Sequence, residues 1–260
     1  MLFRSGIVGY GHIGSQVSVL AEGLGMQVIF HDVEPKLALG NARRVATLDQ
    51  LLKQSDIVTL HVPGGASTKN VINAAALRKM KQGAVLINLS RGDVMDTAAV
   101  KTALHKGQLA ALAVDVFDKE PKSNNDPFES VLMGMNNVVL TPHIGGSTAE
   151  AQESIGVDVA SKMISFLETG STTGSLSIPA LSLPVQHDAH RLLHIHKNVP
   201  GVLSDINGLL SSMKVNILGQ YLKTNTDVGY VVVDVDRRTS SKVLEALTRV
   251  RNTVRVRQLY

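Results

Sequence analysis

A short apolar run, Gly6-Ile7-Val8-Gly9, leads into Gly9-Tyr10-Gly11-His12-Ile13-Gly14, and a helical pattern follows over residues 13–24, with Ile13, Val17, Leu20 and Leu24 on one face. Three glycines at this spacing are weak evidence alone, because glycine-rich turns are common. Their setting gives them weight: a strand before, a helix after, and Asp32 placed 18 residues beyond Gly14 at the end of a second apolar run. Gly9 permits the tight turn, Gly11 lets a diphosphate approach the backbone, and Gly14 lets the helix pack closely on the strand. The helix N-terminus offers free N–H groups and a positive dipole end to phosphates. Asp32 would accept hydrogen bonds from ribose hydroxyls, and with Glu34 nearby would repel a 2′-phosphate. The implied cofactor is NAD, held by a Rossmann-type domain; the competing reading is a purely structural glycine turn.

Further apolar runs, rich in Val, Ile and Leu, occur at Gln27–Asp32, Asp56–Val62, Ala84–Leu89, Leu109–Phe117 and Asn137–Thr141. Helical stretches fit between several of them, notably Asn73–Lys81 and Asp96–Lys106. Strands apolar on both faces and separated by helices indicate a parallel sheet covered on both sides, a doubly wound α/β domain over residues 1–146. Residues 147–168 read as an amphipathic helix with Ile155, Val159, Met163 and Ile164 or Phe166 on its apolar side. The run Thr169-Gly170-Ser171-Thr172-Thr173-Gly174-Ser175 then reads as a linker, closed by Pro179 and Pro184. From residue 188 the pattern changes to strand Arg191–His196, helix Gly201–Met213, strands Val215–Thr224 and Gly229–Asp236, helix Ser240–Val250 and strand Thr253–Leu259. This βαββαβ order predicts a ferredoxin-like module over 188–260, with 147–187 as a connecting segment.

Composition narrows the function classes. A length of 260 residues with 44% hydrophobic content suits two domains with ample cores. There is no cysteine, so disulfides, thiolate metal sites and cysteine nucleophiles are excluded. No apolar run reaches the length of a membrane span and the start lacks a signal-peptide pattern, so a cytoplasmic protein with no membrane partner is expected. The net charge of +4 resides in the C-terminal segment, where 11 basic and 6 acidic residues follow residue 187. They are scattered and lack interleaved aromatics, which argues against a nucleic-acid partner.

Three polar residues lie just beyond predicted strands: Arg91 in Asn88-Leu89-Ser90-Arg91-Gly92, Glu120 in Asp118-Lys119-Glu120-Pro121, and His143 in Thr141-Pro142-His143-Ile144. Ligands of open α/β sheets sit outside the carboxyl ends of the strands. Singly, these residues read as a surface charge, a loop acid and a satisfied loop histidine. Together they suit hydride transfer at an alcohol carbon. His143 would move the hydroxyl proton, Glu120 would fix the imidazole tautomer and favour its charged form, and Arg91 would grip a substrate carboxylate with its planar fork.

The ordered set GYGHIG, HVPGGASTKN, INLSRGDVMD, AVDVFDKEP and LTPHIGGSTAEAQ resembles the D-2-hydroxyacid dehydrogenases, and His194-Ile195-His196-Lys197-Asn198-Val199-Pro200-Gly201-Val202-Leu203 resembles the start of an ACT domain. The combination is most similar to the branch of that family that converts 3-phosphoglycerate to 3-phosphohydroxypyruvate on the phosphorylated route to L-serine. The resemblance implies catalysis by Arg91, Glu120 and His143. It implies cofactor contacts at the fingerprint glycines Gly9, Gly11 and Gly14, at His12, Ile13 and Asp32, at Leu89, Ser90 and Arg91, at Asp115, and at His143, Ile144, Gly145 and Gly146. It further implies a homo-oligomer in which ACT domains pair edge to edge and L-serine acts as effector, bound by His196, Asn198 and Asn216. The residues agree in part: Asn198 and Pro200-Gly201 stand at a strand-to-helix turn, whose helix N-terminus suits a carboxylate. His194 and His196 would share one strand face and could form a weak metal pair, but no third ligand is evident and no metal site is expected.

Members of the family carry a long segment ahead of the GYGHIG strand that builds most of a substrate domain, and only the helix at 147–168 matches that domain here. The expectation is that the motifs are intact while turnover by this chain alone is weak, because the cleft would have one wall. Two other functions fit the same residues: a dehydrogenase of another 2-hydroxy acid, since the trio does not encode the substrate, and a non-catalytic serine-binding regulator.

Overall fold

The computed structural model describes residues 3–121, 123, 125–237 and 240–259. The chain forms two compact units that divide between Gly146 and Ser147.

The first unit is built on seven parallel strands: β1 (Arg4–Val8), β2 (Gln27–His31), β3 (Arg43–Arg44), β4 (Ile57–Leu60), β5 (Ala84–Asn88), β6 (Leu109–Val114) and β7 (Val138–Leu140). Their order is β3-β2-β1-β4-β5-β6-β7, so the winding reverses between β1 and β4. Helix α1 (His12–Gly23) covers one face, where Val17 and Ala21 pack with Ile7, Tyr10, Val28 and Phe30. Helices α2 (Leu48–Gln54), α3 (Ala74–Leu77) and α4 (Thr97–His105) cover the other, around Val8, Ile29, Leu51, Val58, Leu86, Val100 and Leu112. Neighbouring residues Ile7 and Val8 thus serve opposite cores, as the two-sided apolar strands require. Side-chain caps fix three helix starts: Thr47 accepts from Gln50 N, Asn73 from Ala75 N and Ala76 N, and Asp96 from Ala99 N.

The helix expected over Asn73–Lys81 is only one turn long. After Leu77 the backbone tightens to Lys79 N→Ala76 O and Met80 N→Leu77 O bonds, and Gly83 at φ +75° turns the chain into β5. Strands β4 and β6 also stop short of their expected ends, leaving His61–Pro63 and Asp115–Phe117 as the loops that leave the sheet.

The second unit begins with α5 (Ala149–Thr169), capped by Thr148 at its start and by left-handed Gly170 at its end. The remaining elements are β8 (His190–Lys197), α6 (Val202–Ser212), β9 (Ile217–Thr224), β10 (Val228–Val235), α7 (Ser240–Thr248) and β11 (Thr253–Leu259). The antiparallel sheet runs β11-β8-β10-β9, a ferredoxin-like βαββαβ module. On one face Leu192, Val231 and Val233 pack against Val202, Ile206 and Leu210 of α6 and Val243 and Leu247 of α7.

The run at 169–175, read from the sequence as a linker, folds against this unit: residues 169–172 are buried, while Thr173 and Gly174 are exposed. The hydroxyls of Thr169, Ser171 and Thr172 bond to backbone groups and, between Thr169 and Ser171, to each other. Thr172 Oγ1 donates to Pro179 O and accepts from Leu181 N, at 2.7 and 2.9 Å, while Ser171 Oγ accepts from Leu183 N at 3.0 Å. Leu183 and Phe166 cover the second sheet face with Leu193, Tyr230, Val232 and Leu259. Arg191 locks the arrangement: its Nε and Nη2 meet both Asp234 oxygens at 2.7 and 2.8 Å, and its Nη1 donates to Thr169 O and Pro184 O at 2.8 Å each. Small polar residues here satisfy a folded-back backbone, which composition alone does not distinguish from a flexible linker.

Candidate functional site

The carboxyl ends of β1, β4, β5, β6 and β7 share one edge of the first unit's sheet. At the β1–α1 turn, Gly9 sits at φ +88°, and a Cβ there would lie 2.3 Å from His61 O. A Cβ on Gly14 would lie 2.1 Å from Gly9 O, so both positions exclude any side chain. Gly11 differs: a Cβ would meet nothing within 4 Å, leaving open space over the start of α1. No side chain caps this helix, so its first-turn N–H groups are the available partners for an anion. The space at Gly11 and the uncapped helix fit a diphosphate.

Asp32 stands half-buried just past β2. Its Oδ2 accepts from Tyr10 N at 2.7 Å and its Oδ1 from Glu34 N at 2.9 Å, which aims the carboxylate while leaving lone pairs for ribose hydroxyls. Glu34 is paired with Lys36 at 2.6 Å. His61, Val62 and Pro63 open the motif HVPGGASTKN, but the sequence reading gave them no role. They follow β4 beside Gly9, at the strand-order reversal where such crevices open, and that position was the available signal. His61 Nε2 lies 3.0 Å from Thr59 Oγ1, and burial pushes its pKa down.

At the end of β5, fully buried Asn88 organises the turn that presents Arg91. Its Oδ1 accepts from Ser90 N and Ser90 Oγ at 3.1 and 2.9 Å, and its Nδ2 donates to Arg91 O at 2.9 Å. Leu89 is half exposed beside Ser90. A Cβ on Gly92 would lie 2.2 Å from the carbonyl carbon of Phe117, so the Arg91 turn presses directly on the segment leading to Glu120. Arg91 is exposed, with Nη1 donating to Ser90 O at 2.6 Å.

Glu120 and His143, 23 residues apart, meet. His143 Nδ1 lies 2.8 and 2.9 Å from the two Glu120 oxygens, and Glu120 Oε1 also accepts from Phe117 N at 3.1 Å. A carboxylate at Nδ1 places a proton there and leaves Nε2 to exchange one with a ligand. His143 has φ +51°, a left-handed conformation costing a non-glycine residue roughly 1–2 kcal/mol. Asp115 holds it: Oδ1 accepts from His143 N at 3.0 Å and from Thr141 Oγ1 at 2.5 Å. Past it, Ile144 is exposed, and a Cβ on Gly145 or Gly146 would meet nothing within 4 Å.

In the second unit, His196 and Asn198 stand at the end of β8. His196 is 3% exposed, with its ring packed over Gly229, so it is far more enclosed than a surface ligand contact. Asn198 is exposed and donates from Nδ2 to Asn225 O at 2.6 Å. Asn216 precedes β9 at the opposite end of the sheet: Ile217 pairs with Val235, whereas Lys197 pairs with Val228. One chain therefore does not bring the three together.

His194 is 1% exposed, with its ring centroid 5.4 Å from that of His196. Thr253 Oγ1 donates to Val250 O, so it accepts from His194 Nε2 at 2.9 Å. Burial, reinforced by His196, holds the His194 pKa at about 4 against an ordinary 6.5. The folded unit thus prefers neutral His194. Its contribution is complete above pH 6.5 and is lost as the pH falls toward 4, up to about 3 kcal/mol in total. Burial shifts His196 in the same direction. Denaturant titrations across this range should show the second unit weakening with acid, and His194→Gln should flatten that slope.

Three comparisons bear on this geometry. The family described as D-isomer specific 2-hydroxyacid dehydrogenase, NAD binding domain, matches residues 3–145, and the AHAS small subunit-like ACT domain matches residues 192–255. The D-3-phosphoglycerate dehydrogenases of Haemophilus influenzae and Escherichia coli K12 are each 51% identical to this chain over 99% of it. The chain spans 63% of the length of each. A D-lactate dehydrogenase from Aquifex aeolicus, solved with NAD and lactic acid, superposes with a TM-score of 0.54 at 31% identity, covering 62% of this chain and 53% of that one. With its NAD binding domain matched over more than half its length, the chain belongs to the D-isomer specific 2-hydroxyacid dehydrogenase family.

Proposed function

We propose that the first unit is the NAD-dependent hydride-transfer half of an enzyme interconverting 3-phosphoglycerate and 3-phosphohydroxypyruvate, and that the ACT module makes it responsive to L-serine. The observation that carries the chemistry is the His143–Glu120 pair, set at the same sheet edge as the open glycine turn. Gly9, Gly11, His12, Ile13 and Gly14 would hold the diphosphate and Asp32 the adenosine ribose. Leu89, Ser90, Asp115, Ile144, Gly145 and Gly146 would border the nicotinamide end. NAD, when bound, supplies or accepts the hydride. His143 Nε2 would take the hydroxyl proton on oxidation and return it on reduction, with Glu120 stabilising the imidazolium formed. Arg91 would bind the substrate carboxylate through guanidinium N–H groups turned away from Ser90 O. The names of the relatives and the ACT match favour the phosphorylated substrate over lactate-type acids.

For the regulatory part, β9 lies at a sheet edge and Asn225, which Asn198 contacts, follows its end. Two copies pairing antiparallel along β9 would carry Asn216 of one chain to the Asn198 end of the other. That arrangement forms an L-serine site between two ACT modules, residues 188–260, with 147–187 connecting them to the cofactor domain at 1–146.

The test is NADH oxidation by protein purified from its native host, with 3-phosphohydroxypyruvate, hydroxypyruvate and pyruvate as competing substrates. The proposal expects the phosphorylated acid to be preferred and L-serine to give a binding heat in calorimetry. Preference for an unphosphorylated acid would support a different 2-hydroxyacid dehydrogenase. Serine binding without any turnover would support a regulator.

A further inference from the structure

We infer that Tyr10 is the positioning residue of the adenosine half of the cofactor cradle, and that its hydroxyl joins the two walls of that half; the inference rests on the NAD reading above. The fingerprint requires glycine at positions 9, 11 and 14 but leaves position 10 free, so the motif itself does not call for tyrosine. Here the side chain is 3% exposed and stacks on Phe30 of β2 with ring centroids 3.7 Å apart. Its hydroxyl lies 2.6 Å from Ser18 Oγ in α1 and accepts from Leu39 N at 3.2 Å. Ser18 Oγ donates to Ser15 O at 2.7 Å, so its own proton is committed and the tyrosine must donate to it.

The result is a directed chain, Leu39 N–H to Tyr10 O–H to Ser18 O–H to Ser15 O. It runs from the loop after Asp32 to the helix whose N-terminus faces the diphosphate. The backbone N–H of the same residue donates to Asp32 Oδ2 at 2.7 Å. Tyr10 therefore fixes the ribose acceptor through its main chain and the distance between loop and helix through its side chain. The loop it pins carries Glu34 together with Val33 and Leu37, which are 92% and 85% exposed. The loop's other anchors come after Leu39: Asn41 N donates to Glu22, the Asn41 side chain bonds Met26 O and Val28 N, and Ala42 packs in the cluster that holds Ala21 of α1.

Tyr10→Phe keeps the ring, its volume and the Phe30 stack while removing the hydroxyl. Titrations of the whole chain should show the Kd for NADH and for ADP-ribose rising together by about tenfold, the loss expected when a buried network loses its central member. The Kd for reduced nicotinamide mononucleotide, which lacks the adenosine half, should be unchanged. Ser18→Ala, which leaves the Leu39 contact, should move the first two ligands the same way by about threefold, and serves if the Tyr10 variant fails to fold. Unaltered NADH and ADP-ribose binding in the variants would overturn the inference while leaving the cofactor reading intact. Equal weakening of the mononucleotide would also overturn it, because the effect would then be general. Wild-type protein that binds neither NADH nor ADP-ribose would overturn the cofactor reading along with it.

Discussion

Replacing His143 by asparagine should slow consumption of bound NADH by 3-phosphohydroxypyruvate by about two to four orders of magnitude, a far larger effect than any change in NADH affinity. The expectation follows from what each atom does. Nδ1 is occupied by Glu120 at 2.8 Å, so the imidazole can exchange a proton with a substrate only through Nε2, and asparagine offers no group that titrates there. Asparagine suits the test because it tolerates the left-handed backbone that His143 adopts at φ +51° better than most residues. Asp115 would still hold the backbone N–H, so a large loss reports on the ring and not on a collapsed loop. Glu120→Gln should be milder, because the amide oxygen still accepts from Nδ1 but no longer balances the charge on the imidazolium. Single-turnover mixing separates these effects from cofactor binding.

Asp234→Ala should be the most damaging single change in the second unit, costing about 3–5 kcal/mol of its stability. Arg191 and Asp234 are 3% and 1% exposed and sit directly opposite each other on β8 and β10. Removing the carboxylate leaves a buried guanidinium with only Thr169 O and Pro184 O, neither of which carries a compensating charge. The double variant Arg191→Met with Asp234→Leu removes both charges and should recover part of the loss. Recovery should be incomplete, because those two carbonyls lose their donor and a buried unpaired acceptor costs about 1–3 kcal/mol. Denaturant unfolding of wild type and both variants measures the difference. Equal stability of Asp234→Ala and wild type would mean that the 169–184 segment is not held by this pair.

Local patterns in the sequence carry the architecture of both units. The glycines at 9, 11 and 14 announce the first turn because steric exclusion at two of them and open space at the third leave few other solutions. The βαββαβ order is visible because each strand and helix has its own periodicity. Helix α2 was overlooked although Thr47 and Gln50 provide a start signal, since seven residues hold too few apolar repeats to stand out. The catalytic-type trio was legible as positions beyond strands. Its supports were not: Asn88 acts through a turn, Gly92 through contact with Phe117, and Asp115 across 28 residues to His143. The folded-back run at 169–184 was misread for the same reason, because its key partners, Arg191 and Tyr230, lie on strands of the following sheet. Asn198 and Asn216 lie at opposite ends of one sheet, and a shared role for them would require the second copy proposed above.

The most direct measurement is a single-turnover experiment in which natively purified protein, loaded with NADH, is mixed with 3-phosphohydroxypyruvate and the reduced nicotinamide absorbance is followed. The bound NADH is expected to be consumed, slowly if the chain alone supplies only one wall of the cleft, with His143→Asn slowing that consumption by about two to four orders of magnitude and NADPH failing to substitute for NADH. Protein that fails to bind NADH, or bound NADH that persists with this and every other 2-oxo acid offered, would contradict this expectation.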